Sequence, residues 1–315
     1  MSDGFSKIGI GWQVAVPSGW GTYGTNLALA LAARGIEPAL FLLASKLRVT
    51  PAQVEVLRPL VVKQKDWYNT AQRGGLVLDF PMLHPMGDEL RFHDLLKGTR
   101  GRPNVAVPFF ESAVIPRENI EAAKQFALIV AGSSWNAEIL ARHKVTVPVR
   151  TCLQGVDLEL FTPGAKTGHF GDRFVVFSGG KLEYRKGQDL VVAAFKRFHA
   201  KYPQALLVTA WHSPWPQLAA GLRDSQHVVA TAGTKPDGTL DVGSWLLANG
   251  LPSTAFHDMG PIPNPATPQV LREVDLAVFP NRCEGGTNLV AMEAMACGVP
   301  VALSRNTGHL DLIKP

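Results

Sequence analysis

Residues 279–309 contain, in order, the end of a strand, a glycine turn, an apolar helix and a second strand. Pro280 follows the apolar segment Ala277–Phe279 and ends it, because proline cannot continue a central ladder. A helix is predicted from Leu289 to Cys297, and Gly298 supplies its end. This order of elements favours a fold that alternates strands and helices.

The start of this helix has the composition of an anion site. Gly285 and Gly286 predict a turn at which the backbone can approach a ligand closely. Thr287 or Asn288 is the predicted N-cap. The backbone amides from there to Leu289 and the positive end of the helix dipole together suit a phosphate group. We therefore expect these residues to bind a ligand through main-chain amides.

Two carboxylates belong to the same stretch. Every residue of the helix except Glu293 is apolar, so the helix is predicted to be buried nearly all round. A lone buried carboxylate is costly unless it is paired, and a polar ligand would be such a partner. Glu284 precedes the glycine turn. A phosphate cradle beside two carboxylates is what a nucleotide-sugar requires, and the simpler alternative for each carboxylate is a structural role.

Short apolar segments recur at the spacing of βα units and predict buried parallel strands. Strands are predicted at 7–14, 39–43, 76–80, 105–110, 127–131, 147–153, 174–178, 205–209, 228–229, 254–257 and 275–279. Helices are predicted at 25–33, 135–142, 188–200, 241–249 and 267–273. The pattern indicates an α/β protein with two Rossmann-like, doubly wound parallel sheets. The polar, glycine-rich segment 154–172 is the predicted linker, giving domains at 1–166 and 167–315.

The composition is that of a globular protein. The 315 residues are 46% hydrophobic and 18% charged, which excludes disorder and suits about two domains. Three scattered cysteines and unpatterned histidines predict neither disulfides nor a metal site. With no signal peptide or spanning helix in the sequence, we expect a cytoplasmic protein. The net charge of +5 suits anionic substrates or peripheral contact with the inner face of a membrane, and no dense basic run indicates nucleic-acid binding.

A cationic loop follows the first strand of the second half. The sequence FSGGKLEYRKG places Gly180, Lys181, Arg185 and Lys186 in it. Ligands of open α/β sheets bind beyond the carboxyl ends of the strands. Three cations there could neutralise a diphosphate and stabilise it as a leaving group. The alternative is a solvated basic loop, since lysine and arginine are usually exposed.

The first half begins with a strand, a glycine-rich loop and a helix. Gly19, Gly21 and Gly24 match a dinucleotide-binding pattern, but they lie several residues after the strand. No acidic residue closes the next strand, where a ribose partner would be expected. An NAD-dependent oxidoreductase is therefore the weaker alternative, and a loop that lets a substrate lie close to the sheet is favoured.

Other polar groups are predicted near strand ends. Glu111 follows the apolar segment 105–110, and His84 lies in DFPMLHPM. Either could project a catalytic or acceptor-binding group from the first half. Trp211–Trp215 (WHSPW) follows a strand of the second half and could line a nucleotide cleft, with a packed loop as the alternative.

Together these motifs resemble the retaining nucleotide-sugar glycosyltransferases of family four, also called glycosyl transferases group 1, which have the two-domain GT-B architecture. The resemblance rests on the N-terminal glycine-rich segment, on GGKLEYRKG and on CEGGTNLVAMEAMACGVPV. SSWNAEIL and QGVDLELFTP look like the region that joins the family's two domains. The resemblance implies that the two domains face a central cleft, with the acceptor on the first and the donor on the second.

The resemblance also implies residue roles. Lys181, at a position where the family has arginine, and Lys186 would hold the diphosphate, with Arg185 between them. Glu293 would bind the ribose hydroxyls, and Glu284 would contact the donor sugar. Glu284, Lys181 and Lys186 are thus the predicted catalytic residues.

The second half of the chain departs from the family pattern in two places. Glu284 and Glu293 are separated by eight residues, whereas the family's pair is separated by seven. Either the GGTN turn carries an extra residue or Gly285 occupies the first position. The second domain is also expected to lack the family's last strand and crossover helix, which indicates a truncated or shortened form.

The implied reaction moves a sugar from a UDP-, GDP- or ADP-sugar to a glycan, a lipid-linked glycan or a small molecule. The resemblance implies retention of anomeric configuration, no metal and no resident cofactor. Gly19 and Gly21 would lie on the acceptor side. The family's first-domain histidine has no match in this sequence, where the nearest equivalents are Phe110 and Glu111 and His84 is a weaker substitute. The alternative is a non-catalytic nucleotide-sugar binding protein or a truncated remnant.

Overall fold

The protein, as a computed structural model, is described at residues 4–15, 18–42 and 49–313. It forms two compact units. The first comprises Met1–Gly155 and Gly285–Thr287, and the second comprises Val156–Glu284 and Asn288–Pro315. The domain division predicted between residues 166 and 167 falls in the loop before the first strand of the second unit, and it stays a prediction.

The first unit is built on a mostly parallel sheet with the strand order β2-β1-β3-β5-β6-β7, and β4 pairs antiparallel with β3. Its strands are β1 (Lys7–Ile10), β2 (Glu37–Leu40), β3 (Met82–Gly87), β4 (Arg91–Phe92), β5 (Asn104–Pro108), β6 (Leu128–Ala131) and β7 (Val149–Thr151). Its helices are α1 (Gly19–Ala32), α2 (Pro51–Gln72), α3 (Arg117–Ala123) and α4 (Ser134–Arg142). Every residue of β5 is buried, as expected inside a parallel sheet with both faces covered.

The second unit is built on a parallel sheet with the order β10-β9-β8-β11-β12. Its strands are β8 (Val175–Gly179), β9 (Leu206–Ala210), β10 (Phe256–Asp258), β11 (Leu276–Phe279) and β12 (Val301–Leu303). Its helices are α5 (Gln188–Lys201), α6 (Val242–Ala248), α7 (Thr267–Leu271) and α8 (Leu289–Ala296).

The second unit has one apolar core on each face of its sheet. Successive residues of β8 enter different cores, because side chains of a strand alternate between its two faces. Val176 belongs to the core that contains Trp245 of α6. Val175 and Phe177 belong to the core that contains Ala291 of α8. Helices therefore cover both faces of the sheet, which is the doubly wound arrangement that the sequence predicts.

The predicted fold class is confirmed, since each unit is an α/β structure around a parallel sheet. Most predicted strands and helices form within a few residues of their expected bounds. In the part of the chain that the structure describes, no helix has both the length and the apolar composition needed to cross a membrane.

The strand predicted at residues 76–80 is wrong. That segment contributes only an isolated bridge between Val77 and Arg100, and β3 forms further along the chain. Proline is unfavourable inside a sheet, and β3 contains Pro85. Pairing of β3 with β1 ends at Leu83, however, so the missing amide of Pro85 falls where β3 has a single parallel partner strand, β5.

Other predicted elements also differ from the structure. Helix α1 begins at Gly19 rather than Thr25, because the Ser18 hydroxyl accepts a hydrogen bond from the Gly21 amide and caps the helix there. No strand forms at Val228–Val229 in the described structure. Strand β2 ends at Leu40, and residue 43, the predicted end of that strand, lies outside the described residues.

Candidate functional site

The two loops singled out in the sequence follow adjacent strands of the second unit. Strand β8 leads into the cationic loop and β11 leads into the loop that contains Glu284. The two strands pair in parallel, with Leu276 opposite Val176. Because parallel strands end at the same edge of a sheet, both loops meet at its carboxyl edge.

Glu284 is the centre of a buried polar cluster at this edge. Its carboxylate forms an ion pair with Lys186 and accepts hydrogen bonds from Asn281 and from Nη1 of Arg185, the latter at 3.4 Å. Burial opposes ionisation of Glu284, but the charges of Lys186 and Arg185 outweigh it and hold the pKa of this carboxyl below its usual range. Glu284 is therefore anionic at neutral pH, and its partners are the residues predicted to bind a diphosphate.

The predicted cations do not all reach Glu284. Arg185 forms a two-point contact with Glu183, with Nε and Nη2 each 3.2 Å from a carboxylate oxygen, and its Nη1 donates to the Cys283 carbonyl at 3.2 Å. Lys181 Nζ lies 3.8 Å from Glu183 and 5.5 Å from the centre of the Trp215 ring. Three basic side chains thus face two carboxylates, a formal excess of one positive charge. Burial lowers the pKa of Lys186, and the charge of Glu284 opposes this shift.

The turn that carries Arg185 and Lys186 is closed by Gly187. This glycine has a φ of 71°, which L side chains rarely adopt. A Cβ at this position would lie 2.3 Å from the Pro280 carbonyl oxygen. The close approach of the two loops therefore requires glycine here. Gly180, at a φ of 111°, has open space where a Cβ would lie, with no heavy atom within 4 Å, so only its backbone conformation favours glycine.

Helix α8 begins as the sequence predicts, with Asn288 rather than Thr287 as its N-cap. Asn288 is left-handed, with a φ of 66°, and its side-chain oxygen accepts from the Ala291 amide at 3.4 Å. Its Nδ2 lies 3.1 Å from Nε2 of the fully buried His309. In the described structure the amides of Leu289 and Val290 make no hydrogen bond to protein, as expected for a first helical turn.

The glycine turn itself is engaged by protein. Gly285, Gly286 and Thr287 group with the first unit. There the Gly285 carbonyl accepts from the Ser133 hydroxyl at 2.7 Å, and a Cβ on Gly285 would lie 2.6 Å from the Phe110 carbonyl oxygen. Packing against protein therefore accounts for Gly285 without a ligand.

Glu293 is buried in α8, with 4% of its surface exposed. The Asn264 side chain donates to Glu293 Oε1 at 2.8 Å. Burial raises the pKa of Glu293 to about 7, and the bond from Asn264 opposes this shift only in part. Asn264 is a site residue that the sequence motifs do not predict. The one available signal is a polar residue between two prolines in the loop after β10.

A second polar group lies at the same carboxyl edge, where β9 and β10 end. Asp258, the last residue of β10, accepts from Thr209 Oγ1 at 2.8 Å and contacts Nε2 of His212 at 2.9 Å. The residues of the WHSPW segment therefore differ in their surroundings. Trp211 is a fully buried core residue, whereas Trp215 is 43% exposed and lies beside Lys181.

The glycine pattern of the first unit is helical rather than a loop. Gly19 and Gly21 lie in the first turn of α1, and Gly24 lies in the next. A Cβ on Gly24 would lie 2.6 Å from Nε1 of Trp12, so this glycine permits close packing of α1. Trp12 itself stacks on Tyr23, with ring centres 5.6 Å apart. Local packing accounts for part of this pattern without a dinucleotide.

The two remaining first-unit candidates differ in position. His84 lies in the middle of β3, is 2% exposed, and packs against Phe92 and Phe126. Burial lowers the pKa of His84 to about 4, so it is a neutral core residue and not the strand-end group that the sequence suggested. Glu111 does follow β5, and its amide donates to Asp88 at 2.8 Å. Among the described residues, no group of His, Cys, Asp and Glu side chains could hold a metal ion.

Comparisons with known proteins agree with the fold and the motifs. Two solved structures each match 98% of this chain with a TM-score of 0.60. Sucrose-phosphate synthase from Thermosynechococcus elongatus is 18% identical, and the match covers 84% of its chain. Anabaena HepE in complex with UDP-glucose is 16% identical, and the match covers 83% of its chain. Together they define the fold class as that of the GT-B glycosyltransferases.

Sequence comparisons find similarity to one family. Residues 172–315 match the family model of glycosyl transferases group 1. A D-inositol 3-phosphate glycosyltransferase 1 of Catenulispora acidiphila is 31% identical over 233 residues, which are 66% of this chain and 51% of that protein. The second unit is thus similar to the glycosyl transferases of group 1, the family that the sequence motifs resemble. It spans about half the length of the curated relatives it matches.

Proposed function

We propose that the protein binds a nucleoside-diphosphate sugar on its second unit and transfers the sugar to an acceptor hydroxyl with retention of anomeric configuration. The observation that carries the proposal is the cluster at the carboxyl edge, where Lys186 and Arg185 surround a buried anionic Glu284. It lies in the segment that matches the family model. A net positive charge at a sheet edge is suited to an anionic donor.

The proposed chemistry breaks one bond and forms one. The bond between the anomeric carbon and the diphosphate oxygen breaks, and the diphosphate leaves with the bonding electrons. The acceptor oxygen forms its bond to the same face of that carbon and passes its proton to the departing diphosphate oxygen. Lys181, Arg185 and Lys186 would stabilise the charge that develops on the leaving group, as would the amides of Leu289 and Val290.

Glu293 is proposed to bind the ribose of the donor. It is a buried carboxylate with one described side-chain partner, Asn264, and it lies one helical turn into α8. A hydrogen bond to a charged group contributes about 1.5–3 kcal/mol. Glu293→Ala is therefore expected to weaken UDP binding at least about tenfold, as measured by isothermal titration calorimetry.

Glu273 provides a matched control for this experiment. It is equally buried in the second unit, but its carboxylate binds the amides of Gly168 and His169, away from the site. Glu273→Ala should lower stability and leave UDP affinity unchanged at a temperature where the variant is folded. Unchanged affinity in Glu293→Ala would exclude the ribose assignment.

The identities of donor and acceptor are proposed from the relatives. The protein named D-inositol 3-phosphate glycosyltransferase 1 and the synthase named for sucrose phosphate favour a small phosphorylated polyol or sugar phosphate as the first acceptors to test. HepE was solved with UDP-glucose, so UDP-glucose is the first donor, beside GDP- and ADP-sugars. A ligand raises the apparent melting temperature by mass action, so thermal shift ranks the donors.

The second candidate function is binding of a nucleotide-sugar without turnover. It is motivated by the spacing between Glu284 and Glu293, which is one residue longer than in the family. For the transfer function, glycans and lipid-linked glycans are further acceptors to test. Release of UDP in the presence of an acceptor panel separates the two functions.

We propose that neither a metal nor a resident cofactor takes part and that the protein acts in the cytoplasm. Undiminished transfer in excess EDTA is the expected result for metal independence.

A further inference from the structure

We propose that Arg282 is a positioning residue that, with Asp189, holds the turn Tyr184–Lys186 where Arg185 and Lys186 can meet a diphosphate. The proposal rests on the proposed function, because it concerns how that donor site is built. Arg282 lies two residues before Glu284, in the loop that follows β11. It makes contacts in three directions.

The first contact is a two-point ion pair. Arg282 Nη1 lies 2.8 Å from Asp189 Oδ1, and Nη2 lies 2.7 Å from Oδ2. Asp189 lies in the first turn of α5 and is fully buried. The planar fork of an arginine matches a carboxylate in this way, and lysine cannot reproduce the geometry. The pair therefore fixes the guanidinium relative to α5.

The other contacts hold the cationic turn. Arg282 Nη1 also donates to the Tyr184 carbonyl at 2.7 Å, and its guanidinium lies 3.9 Å from the centre of the Tyr184 ring. The backbone amide of Arg282 donates to the Arg185 carbonyl at 2.8 Å. Two successive carbonyls of the turn are thus bound by one residue of the opposite loop.

These contacts set the positions of the two cations that reach Glu284. Arg185 and Lys186 have long, flexible side chains, so their usefulness to a ligand depends on where the backbone of the turn lies. A misplacement of about 1 Å can cost about a hundredfold in a catalytic site. Arg282 connects α5, the turn and the Glu284 loop, and its loss would release the turn from both.

The test compares two arginines of the second unit. Arg282→Lys keeps a positive charge opposite Asp189 but loses the fork and the stacking on Tyr184. Arg173 is the control, because it also donates to three backbone carbonyls, those of Gln204, Ala205 and Thr254, away from the cationic turn. The full chain is titrated by calorimetry with inorganic pyrophosphate and with UDP, and each melting temperature is measured.

Arg282→Lys is expected to weaken pyrophosphate and UDP binding about tenfold, the equivalent of one charge-assisted hydrogen bond. Arg173→Ala should lower the melting temperature at least as much and keep wild-type affinity. Tyr184→Leu, which removes the stacked ring, is expected to weaken both ligands in the same sense. Tyr184→Leu is used as the second variant in place of Arg282→Ala. The alanine variant would leave Asp189 buried without its cation and can fail to fold.

Wild-type affinity in Arg282→Lys would overturn the proposal, and so would a loss of affinity in Arg173→Ala that matches its loss of stability. Both results leave the donor site itself intact. Failure of the wild-type protein to bind UDP, GDP and ADP would instead reject the proposed function, and the positioning role with it.

Discussion

Glu284 and Glu293 belong to one short stretch of chain, yet their surroundings shift their pKa values in opposite directions. Lys186 and Arg185 lower the pKa of Glu284 against the effect of burial. Among the described residues Glu293 has the amide of Asn264 as its side-chain partner, and its pKa rises to about 7. Such divergence between neighbouring carboxyls accompanies different roles in many active sites. Here it assigns a permanent charge to Glu284 and a titration near neutral pH to Glu293.

Glu293 therefore makes the ligand-free protein less stable as pH rises. Its pKa is about 7 in the folded protein against 4.5 as the usual value, so the folded state holds the proton longer. Stability is unaffected below about pH 4.5, falls between there and about pH 7, and is lower by on the order of 3 kcal/mol above that. Glu293→Gln should remove this loss, so its melting temperature should exceed that of the wild type at pH 8 but not at pH 5. Equal melting temperatures at pH 8 would contradict the assignment.

The contact between the two loops of the site depends on a single glycine. Gly187→Ala introduces a left-handed alanine and a Cβ that would lie 2.3 Å from the Pro280 carbonyl oxygen. Gly238 has a similar φ of 80° but no atom within 4 Å of its Cβ position. Gly238→Ala should cost about 1 kcal/mol, from the backbone conformation alone. Gly187→Ala should cost more and should also weaken pyrophosphate binding, since the turn must move.

Thermal unfolding and pyrophosphate titration of both variants check this expectation. The Gly238→Ala protein is the control for backbone strain without a clash. An equal loss of stability in the two variants, with pyrophosphate affinity unchanged in both, would show that the loop contact is not needed to hold the turn.

The sequence predicts best the elements whose patterns are local. Strand β8, helix α8 and the cap at residue 288 follow from apolar segments and from turn residues. The neighbourhood of Lys186 and Glu284 follows from the rule that adjacent parallel strands end at one edge. The partner of Glu293 could not be predicted from the sequence, because Asn264 lies in a separate loop and no residue spacing indicates that contact. Strand β3 was not predicted, and its Pro85 lies where the strand has one parallel partner, β5.

The two units offer different places for the proposed nucleotide. Both units have a strand followed by a glycine-rich segment and a helix, and the sequence left a dinucleotide site in the first unit as an alternative. In the structure the first glycines are part of α1, with Gly24 packed on Trp12. The second unit instead has three clustered cations, and in its described part the amides of Leu289 and Val290 at the start of α8 make no hydrogen bond to protein.

Hydrogen exchange measured by mass spectrometry tests this difference directly. UDP should slow exchange in peptides that cover residues 180–187 and 281–297, because a bound diphosphate would hold the cationic turn and the first turn of α8. Peptides that cover residues 18–32 should exchange as before. NAD, added as the control ligand, should protect neither region. Protection concentrated in residues 18–32, with either ligand, would place the nucleotide in the first unit and support the oxidoreductase alternative over sugar transfer.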